Sequence, residues 1–240
     1  QHDYTATIHL TGLTPNTTYQ YYVLVDGERD TSHTPTLRTT PAQGQPIQYR
    51  IAFGGGAGYV PEHERAWITI QATQPDAIFL LGDNVYSDDP TSPAMQHYCY
   101  YRRQSRPEFR SLLASTPVYS IWDDHDFGTN DCQGGPALDS PDWKVPVWHV
   151  FKNNWVNPGY GQGEKVPGVW YDYYIGDVHF IMTDGRIYRD LRPADGGRAT
   201  MLGPIQREWL KRTIAESKGT FTVLVSPVPW VFGAKGDSKD

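Results

Sequence analysis

The chain has 240 residues, of which 38% are hydrophobic and 13% aromatic, so it is not a disordered protein and can form one sizeable core with a smaller unit attached. Its formal net charge of -6 argues against a nucleic-acid-binding footprint, so any phosphate ligand would need local cations. No apolar run reaches the length of a membrane span.

The first 41 residues predict short β-strands separated by turns. Alternating or β-prone residues occur in three segments, 5–10, 18–25 and 36–40, and Asp26-Gly27 predicts a hairpin turn. The Gly, Pro and Gln content of residues 42–48 indicates a linker. We therefore predict a partial β-unit over 1–41, a linker over 42–48 and a second domain over 49–240.

Beyond the linker, strand patterns alternate with helix patterns. Strands are predicted at 49–53, 77–81, 117–122, 178–183 and 220–226, and helices at 61–72, 107–115 and 204–217. Such alternation predicts a layered α/β domain, in which ligands bind beyond the carboxyl ends of the strands.

Polar residues follow three of these predicted strands. Several acids in two short loops would repel one another, or some would become protonated, unless a cation held them together with the neighbouring imidazole. Carboxylates suit hard cations such as Ca²⁺, and a phenolate favours Fe³⁺. The candidate residues are Asp83 and Tyr86 in the first loop, Asp123, Asp124, His125 and Asn130 in the second, and Asp184, Arg186 and Tyr188 in the third.

Each of these loops also has a simpler interpretation. Gly82-Asp83 is common as a turn or helix cap, and residues 123–130 fit a solvated polar helix cap. Arg186 fits a surface salt bridge as well as a phosphate contact. The residues alone leave these alternatives open.

Four segments in this order and spacing, IAFGGGAG, LLGDNVYSD, IWDDHDFGTND and GDVHFIMTDGRIYRD, resemble the alkaline phosphatase D (PhoD-like) metallophosphatase family. The likeness runs from about residue 49 to residue 240, and the Gly-Asp-x-x-Tyr loop is shared with purple acid phosphatases. Before it, LTGLTPNTTYQYYV resembles the later strands of a fibronectin type III-like sandwich. The resemblance implies a calcineurin-like layered metallophosphatase domain preceded by a partial sandwich.

The same resemblance implies roles for individual residues. Asp83 would bridge two metals, Tyr86 would bind Fe³⁺ as a phenolate, and Asp124 would bind a Ca²⁺-type partner. Asp123 and Asn130 would be further members of the metal shell. His125 would donate a proton or stabilise an oxyanion, and Arg186 would orient a phosphate oxygen. Asp184 and Tyr188 lie close to Arg186 in the sequence, and all three are substrate-binding candidates.

The chain departs from the family pattern in two places. Many members have a Cys ligand in a Phe-Gly-Ser-Cys segment, where this chain has Phe53 followed by Gly54, Gly55 and Gly56. These glycines are explained equally by a tight turn, and their amides could hold a phosphate oxygen. The family's later Gly-Asp-x-His segment does not follow Trp230, so we expect a fragment shortened at both ends.

The expected function is metal-dependent hydrolysis of small phosphate monoesters or diesters by a metal-bound water or hydroxide. The alternative is an extracellular binding or adhesion module stabilised by Ca²⁺. The only cysteines, Cys99 and Cys132, are consistent with a disulfide or with two unpaired thiols. The resemblance, together with such a bridge, implies a periplasmic or secreted protein.

Overall fold

The computed structural model describes residues 6–31, 35–191, 193, 194 and 196–230. Its N-terminal part contains four short strands, β1 (Thr18–Gln20), β2 (Leu24–Val25), β3 (Glu28–Arg29) and β4 (Thr36–Arg38). β1 pairs with β4 and β2 pairs with β3, both antiparallel. The predicted hairpin is confirmed, since Asp26 and Gly27 take positive φ angles between β2 and β3.

Two expectations for this region need correction. No strand occurs at residues 6–10, the described part of the predicted strand 5–10, and the predicted strand 18–25 is interrupted at 21–23. Ile8, Leu10 and residues 21–25 are exposed. Two separate two-stranded ladders with exposed apolar side chains do not form the buried face of a sandwich, so the fibronectin type III-like sandwich is not confirmed.

The remaining chain contains the predicted alternation of strands and helices. In order, the elements are β5 (Ile51–Gly54), a 3-10 helix (Pro61–His63), α1 (Ala66–Ala72), β6 (Ala77–Leu80), α2 (Pro93–Gln104), α3 (Pro107–Leu113), β7 (Val118–Ser120), α4 (Asp124–Phe127), α5 (Lys144–Asn154), a 3-10 helix (Gly163–Lys165), β8 (Tyr171–Ile175), β9 (Val178–Met182), α6 (Gly203–Ala215) and β10 (Phe221–Val225). The strands and helices predicted after residue 48 are found with their ends moved by a few residues, except that the helix predicted at 61–72 is divided into the 3-10 helix and α1.

Two three-stranded sheets pack face to face. The first has the order β5-β6-β7 with all strands parallel, and the second has the order β10-β9-β8, where only β8 is antiparallel. Aromatic rings join them: Phe79 lies 5.1 Å from Phe180, and Tyr119 stacks on Tyr173 at 4.3 Å between centroids. Successive residues of a buried strand therefore point alternately into the layer between the two sheets and toward the outer face of their own sheet.

Helices cover the outer faces of both sheets. Ile78 and Leu80 of β6 border a cavity whose other walls include Trp67 of α1 and Phe109 of α3. Ile181 of β9 packs against α6. The result is a mixed α/β fold with the layers helix, sheet, sheet and helix, in which the loops after β6, β7 and β9 meet. Within the described ranges, no helix is long and apolar enough to cross a bilayer.

Candidate metal centre

The loops after β6 and β7 touch each other, and a glycine allows this close approach. A Cβ atom on Gly82, whose φ is 115°, would lie 2.5 Å from the Cβ of Asp123. The next residue, Asp83, takes a left-handed φ of 50°, which is uncommon outside glycine. This turn brings Asp83 to the second loop, where the main-chain N–H of His125 donates to its Oδ1 at 3.3 Å.

The buried carboxylate of Asp126 fixes the two loops to each other. It accepts hydrogen bonds from the main-chain N–H groups of Asp123, Asn84 and Val85 at 3.1 to 3.2 Å, and one from the hydroxyl of Tyr100 at 3.3 Å. Burial raises the pKa of Asp126 to about 8, against the effect of the backbone donors. Asp126 was not among the predicted site residues, although Asp123 and Asp126 form a capping box, whose spacing is readable in the sequence.

Asp83, Asp124 and His125 form the densest group of potential metal ligands among the described residues. Each offers one ligand atom, and these atoms lie within 4.8 Å of one another. The hydroxyl of Tyr86 donates to Asp83 Oδ2 at 3.1 Å, which adds a phenol to the group. Burial, followed by the charge of Asp124, raises the pKa of Asp83, and a bound cation would relieve this repulsion. The donors therefore fit a hard cation.

His125 is held from two sides. Its Nδ1 lies 2.5 Å from Oδ1 of Asp88, and its ring lies 4.3 Å from the ring of Tyr86. Burial acts to lower the pKa of His125, but the hydrogen bond to Asp88 and the charges of Asp124 and Asp83 outweigh it and raise that pKa. The sequence analysis missed Asp88 as a partner, because a contact across 37 positions of sequence leaves no local pattern.

Arg186 lies inside the protein, where it neutralises the second loop. Its side chain is closed to solvent, its Nε donates to Asp123 Oδ1 at 2.5 Å, and its Nη2 lies 3.7 Å from Asp124 Oδ1. Burial raises the pKa of Asp123 to about 6, against the lowering effect of Arg186. The surface salt bridge considered above is wrong because the pair is buried. The phosphate contact stays a prediction. To bind phosphate, the guanidinium would have to share its N–H donors with Asp123 and Asp124 or break its contacts with them.

Asp184 and Tyr188 are also buried, which does not fit direct substrate binding. Asp184 accepts hydrogen bonds from the main-chain N–H groups of Val169, Arg186 and Ile187 at 2.9 to 3.0 Å. The ring of Tyr188 packs 4.5 Å from Nζ of Lys144, a buried cation that no motif had indicated. Both side chains therefore support the loop after β9 from within.

Asn130 lies at the end of the second loop, on the surface of the protein. It is exposed, and its amide donates to Asp131 Oδ2 at 3.1 Å, while the main-chain N–H of Asp131 donates to Asp124 Oδ2 at 2.6 Å. The second loop thus orients Asp124 through its backbone. Asn130 as a metal ligand stays a prediction.

The glycines after β5 border the first loop. Gly56 N donates to Gly82 O at 3.2 Å and Ala57 N donates to Asp83 O at 2.9 Å, so these two amides are engaged with protein rather than free for phosphate. Gly56 has a φ of 68°, and a Cβ atom there would lie 3.9 Å from the hydroxyl of Tyr86. The segment therefore forms the tight turn considered above, beside the phenol.

The two cysteines are not joined. Cys99 is buried in α2 and contacts the carbonyl oxygen of Tyr86 at 3.7 Å, whereas Cys132 contacts the carbonyl oxygen of Asp124 at 3.5 Å. Each thiol donates to a different loop. The structure thus contradicts a Cys99 to Cys132 disulfide and has two free thiols instead.

The family model that matches the chain is that of PhoD-like phosphatases, over residues 51–237. A solved structure of PhoD superposes with a TM-score of 0.73 at 20% identity, covering 89% of this chain and 48% of that one. A purple acid phosphatase from yellow lupin (Lupinus luteus) seeds superposes with a TM-score of 0.59 at 16% identity, covering 90% and 37%. The chain therefore spans about half the length of the PhoD structure. No curated protein matches it.

Proposed function

Because this chain belongs to the PhoD-like phosphatase family, we propose that it carries part of a metal-dependent phosphatase that hydrolyses phosphate monoesters or diesters. The observation that carries the proposal is the convergence of the ligand atoms of Asp83, Asp124 and His125 within 4.8 Å, at the edge where two strands end. Similarity to the two solved phosphatases supports the fold on which this centre is built.

Asp83, Tyr86 and Asp124 are the residues that we propose as metal ligands. Their carboxylate and phenol oxygens suit Ca²⁺ and Fe³⁺, the two cations that we propose for the centre. Once bound, such cations would neutralise phosphate oxygens and lower the pKa of a water molecule. Arg186 contributes from inside the protein by offsetting the charge of Asp123 and Asp124.

His125 is the residue that we propose as the proton donor to the leaving alcohol. Its main-chain N–H donates to Asp83, so its position is tied to a proposed ligand. With Nδ1 hydrogen-bonded to Asp88, its Nε2 remains the ring nitrogen for the substrate. A proton delivered by a positioned imidazole accelerates such steps by roughly 10² to 10⁴-fold.

We propose a small phosphate ester as the substrate. We also propose a periplasmic or secreted location for the whole protein. The location is proposed from the family resemblance alone, because the structure contains free thiols, the second of the two alternatives considered above.

The test is elemental analysis of the whole natural protein, together with hydrolysis of a chromogenic phosphodiester with and without chelator. We expect iron and calcium in the protein and turnover that the chelator abolishes. Calcium alone without turnover would replace this proposal with the Ca²⁺-stabilised binding module. Turnover that survives complete metal removal would contradict the assigned chemistry.

A further inference from the structure

An arginine of α2, the helix that contacts the first loop, packs on two tyrosine rings. The guanidinium carbon of Arg102 lies 4.3 Å from the ring centroid of Tyr59 and 5.6 Å from that of Tyr98. Tyr98 is exposed, and Arg102 and Tyr59 are partly buried. We name these three residues the Arg102 platform.

Arg102 has no acidic partner among the residues that the structure describes, in contrast to its neighbours. Arg103 pairs with Glu64 at 3.0 Å and Arg106 pairs with Glu108 at 3.4 Å. The Nε of Arg102 is buried and makes no hydrogen bond. Within the described residues its positive charge is thus flanked by aromatic rings, and its Nη groups, rather than the buried Nε, are the donors available to another group.

The platform adjoins the first loop through direct contacts of α2. Cys99, one helical turn before Arg102, contacts the carbonyl oxygen of Tyr86. Arg103 donates to the carbonyl oxygen of Ala57 at 2.6 Å. Tyr59 follows Gly58, where a Cβ atom would lie 3.8 Å from Cε2 of Tyr86. Tyr86 therefore contacts His125 through its ring and α2 through its carbonyl oxygen.

We propose that the Arg102 platform binds an aromatic ester group of a phosphodiester, namely the group that stays on phosphorus after hydrolysis. The inference rests on the proposed function, in which His125 serves the leaving group. Because Tyr86 contacts His125 through its ring and the platform helix α2 through its carbonyl oxygen, we assign the second ester group, rather than the leaving group, to the platform. Flat rings stack on tyrosine faces such as that of the exposed Tyr98, and the Nη donors of Arg102 suit polar atoms on the ring.

A matched pair of substrates tests this on the whole natural protein. Bis(p-nitrophenyl) phosphate and methyl p-nitrophenyl phosphate release the same leaving group and differ only in the retained group. We expect the wild type to prefer the aromatic diester, and Arg102→Ala and Tyr98→Ala to reduce its kcat/KM by roughly 10-fold through KM. The methyl diester should change less than twofold. Equal losses on both substrates, or no loss on either, would overturn the proposal.

Arg29→Ala is the control, because it removes an arginine that stacks on Tyr22, at 4.7 Å, in the β2 to β3 hairpin. It should leave both diesters unaffected. Tyr98 is exposed, so its replacement should leave folding intact, as a thermal melt would verify.

A binding titration separates this inference from the proposed function. Diphenyl phosphate and dimethyl phosphate are compared by calorimetry, which requires no turnover. Tighter binding of diphenyl phosphate that Arg102→Ala abolishes would support the platform, even in a protein that hydrolyses neither chromogenic diester. Equal affinity for both compounds would overturn the platform, even if hydrolysis and metal dependence are as proposed.

Discussion

The loops after β6 and β7 differ from the loop after β9 in what surrounds their polar side chains. In the first two, Asp83, Tyr86 and His125 stay partly accessible, and the buried Asp124 has a carboxylate oxygen within 4.8 Å of the ligand atoms of Asp83 and His125. In the third, Asp184 and Arg186 are enclosed, and each is hydrogen-bonded to protein atoms.

This difference separates binding groups from supporting groups. A carboxylate that faces another carboxylate near solvent is available to a cation, whereas a carboxylate that accepts three main-chain N–H groups is already occupied. The second and third loops both combine acids with a basic residue, whereas the first contains acids alone, so the residue types do not show which acids are already occupied.

The largest expected effect concerns the first loop. Asp83→Asn should reduce kcat/KM for a phosphodiester by roughly 10³-fold or more, since it removes a ligand that underlies several kcal/mol of transition-state stabilisation. Bound metal, measured by elemental analysis, should fall with the activity. Asp26→Asn is the control, because Asp26 also has a left-handed φ, of 52°, in an exposed turn. Full activity of Asp83→Asn would disprove its role as a ligand.

The next effect concerns the third loop. Arg186→Met should lower the free energy of unfolding by about 3 to 5 kcal/mol, because it leaves the buried Asp123 and Asp124 without their cation. Urea denaturation measures this loss. Arg207→Met removes an exposed arginine that pairs with Glu208 and should cost about 0 to 1 kcal/mol. A stable Arg186→Met protein with a raised KM would instead assign Arg186 to phosphate binding.

A smaller effect should follow removal of the charge next to His125. Asp88→Asn should lower kcat by roughly 10 to 100-fold, a part of the roughly 10² to 10⁴-fold that a positioned proton donor contributes. Steady-state kinetics should show an unchanged KM, and metal content should remain at the wild-type level, because Asp88 positions the imidazole. The neighbouring Asp89 hydrogen-bonds Thr91, so Asp89→Asn should have no effect on kcat. Loss of metal in Asp88→Asn would make Asp88 a ligand rather than a positioning residue.

The smallest effect is expected for reductant. Two free thiols should be titrated in the denatured protein, and addition of reductant should change the free energy of unfolding by less than about 0.5 kcal/mol. A bridge would add about 2 to 4 kcal/mol that reductant removes. Such a loss would restore the disulfide hypothesis and, with it, the argument for an oxidising compartment.

The sequence predicts the strands of the second part well, because apolar runs such as residues 77–81 are the signal of a buried strand. It does not predict α2, α5 or β8. Polar and aromatic residues dilute the periodicity of α2, although Ser92 before Pro93 is a helix start signal, and the hydroxyl of Ser92 caps the helix.

Only part of the candidate site is predicted from the sequence, because local patterns locate strand ends but not contacts between loops. Asp83, Tyr86, Asp124 and His125 follow strand ends, so their neighbourhood can be inferred from sequence order. The contact between His125 and Asp88 and the enclosure of Arg186 depend on how loops fold onto one another, which local patterns do not encode.

The buried carboxylate of Asp126 also affects the entropy cost of binding a metal ion. Because it binds amides from both loops, the spacing of the ligands is set when the chain folds. The conformational entropy of these loops is then lost during folding rather than on ion binding. Stripping the metal should leave their shape intact, and the amide hydrogens of Asn84, Val85 and Asp123 should exchange with solvent equally slowly before and after chelation.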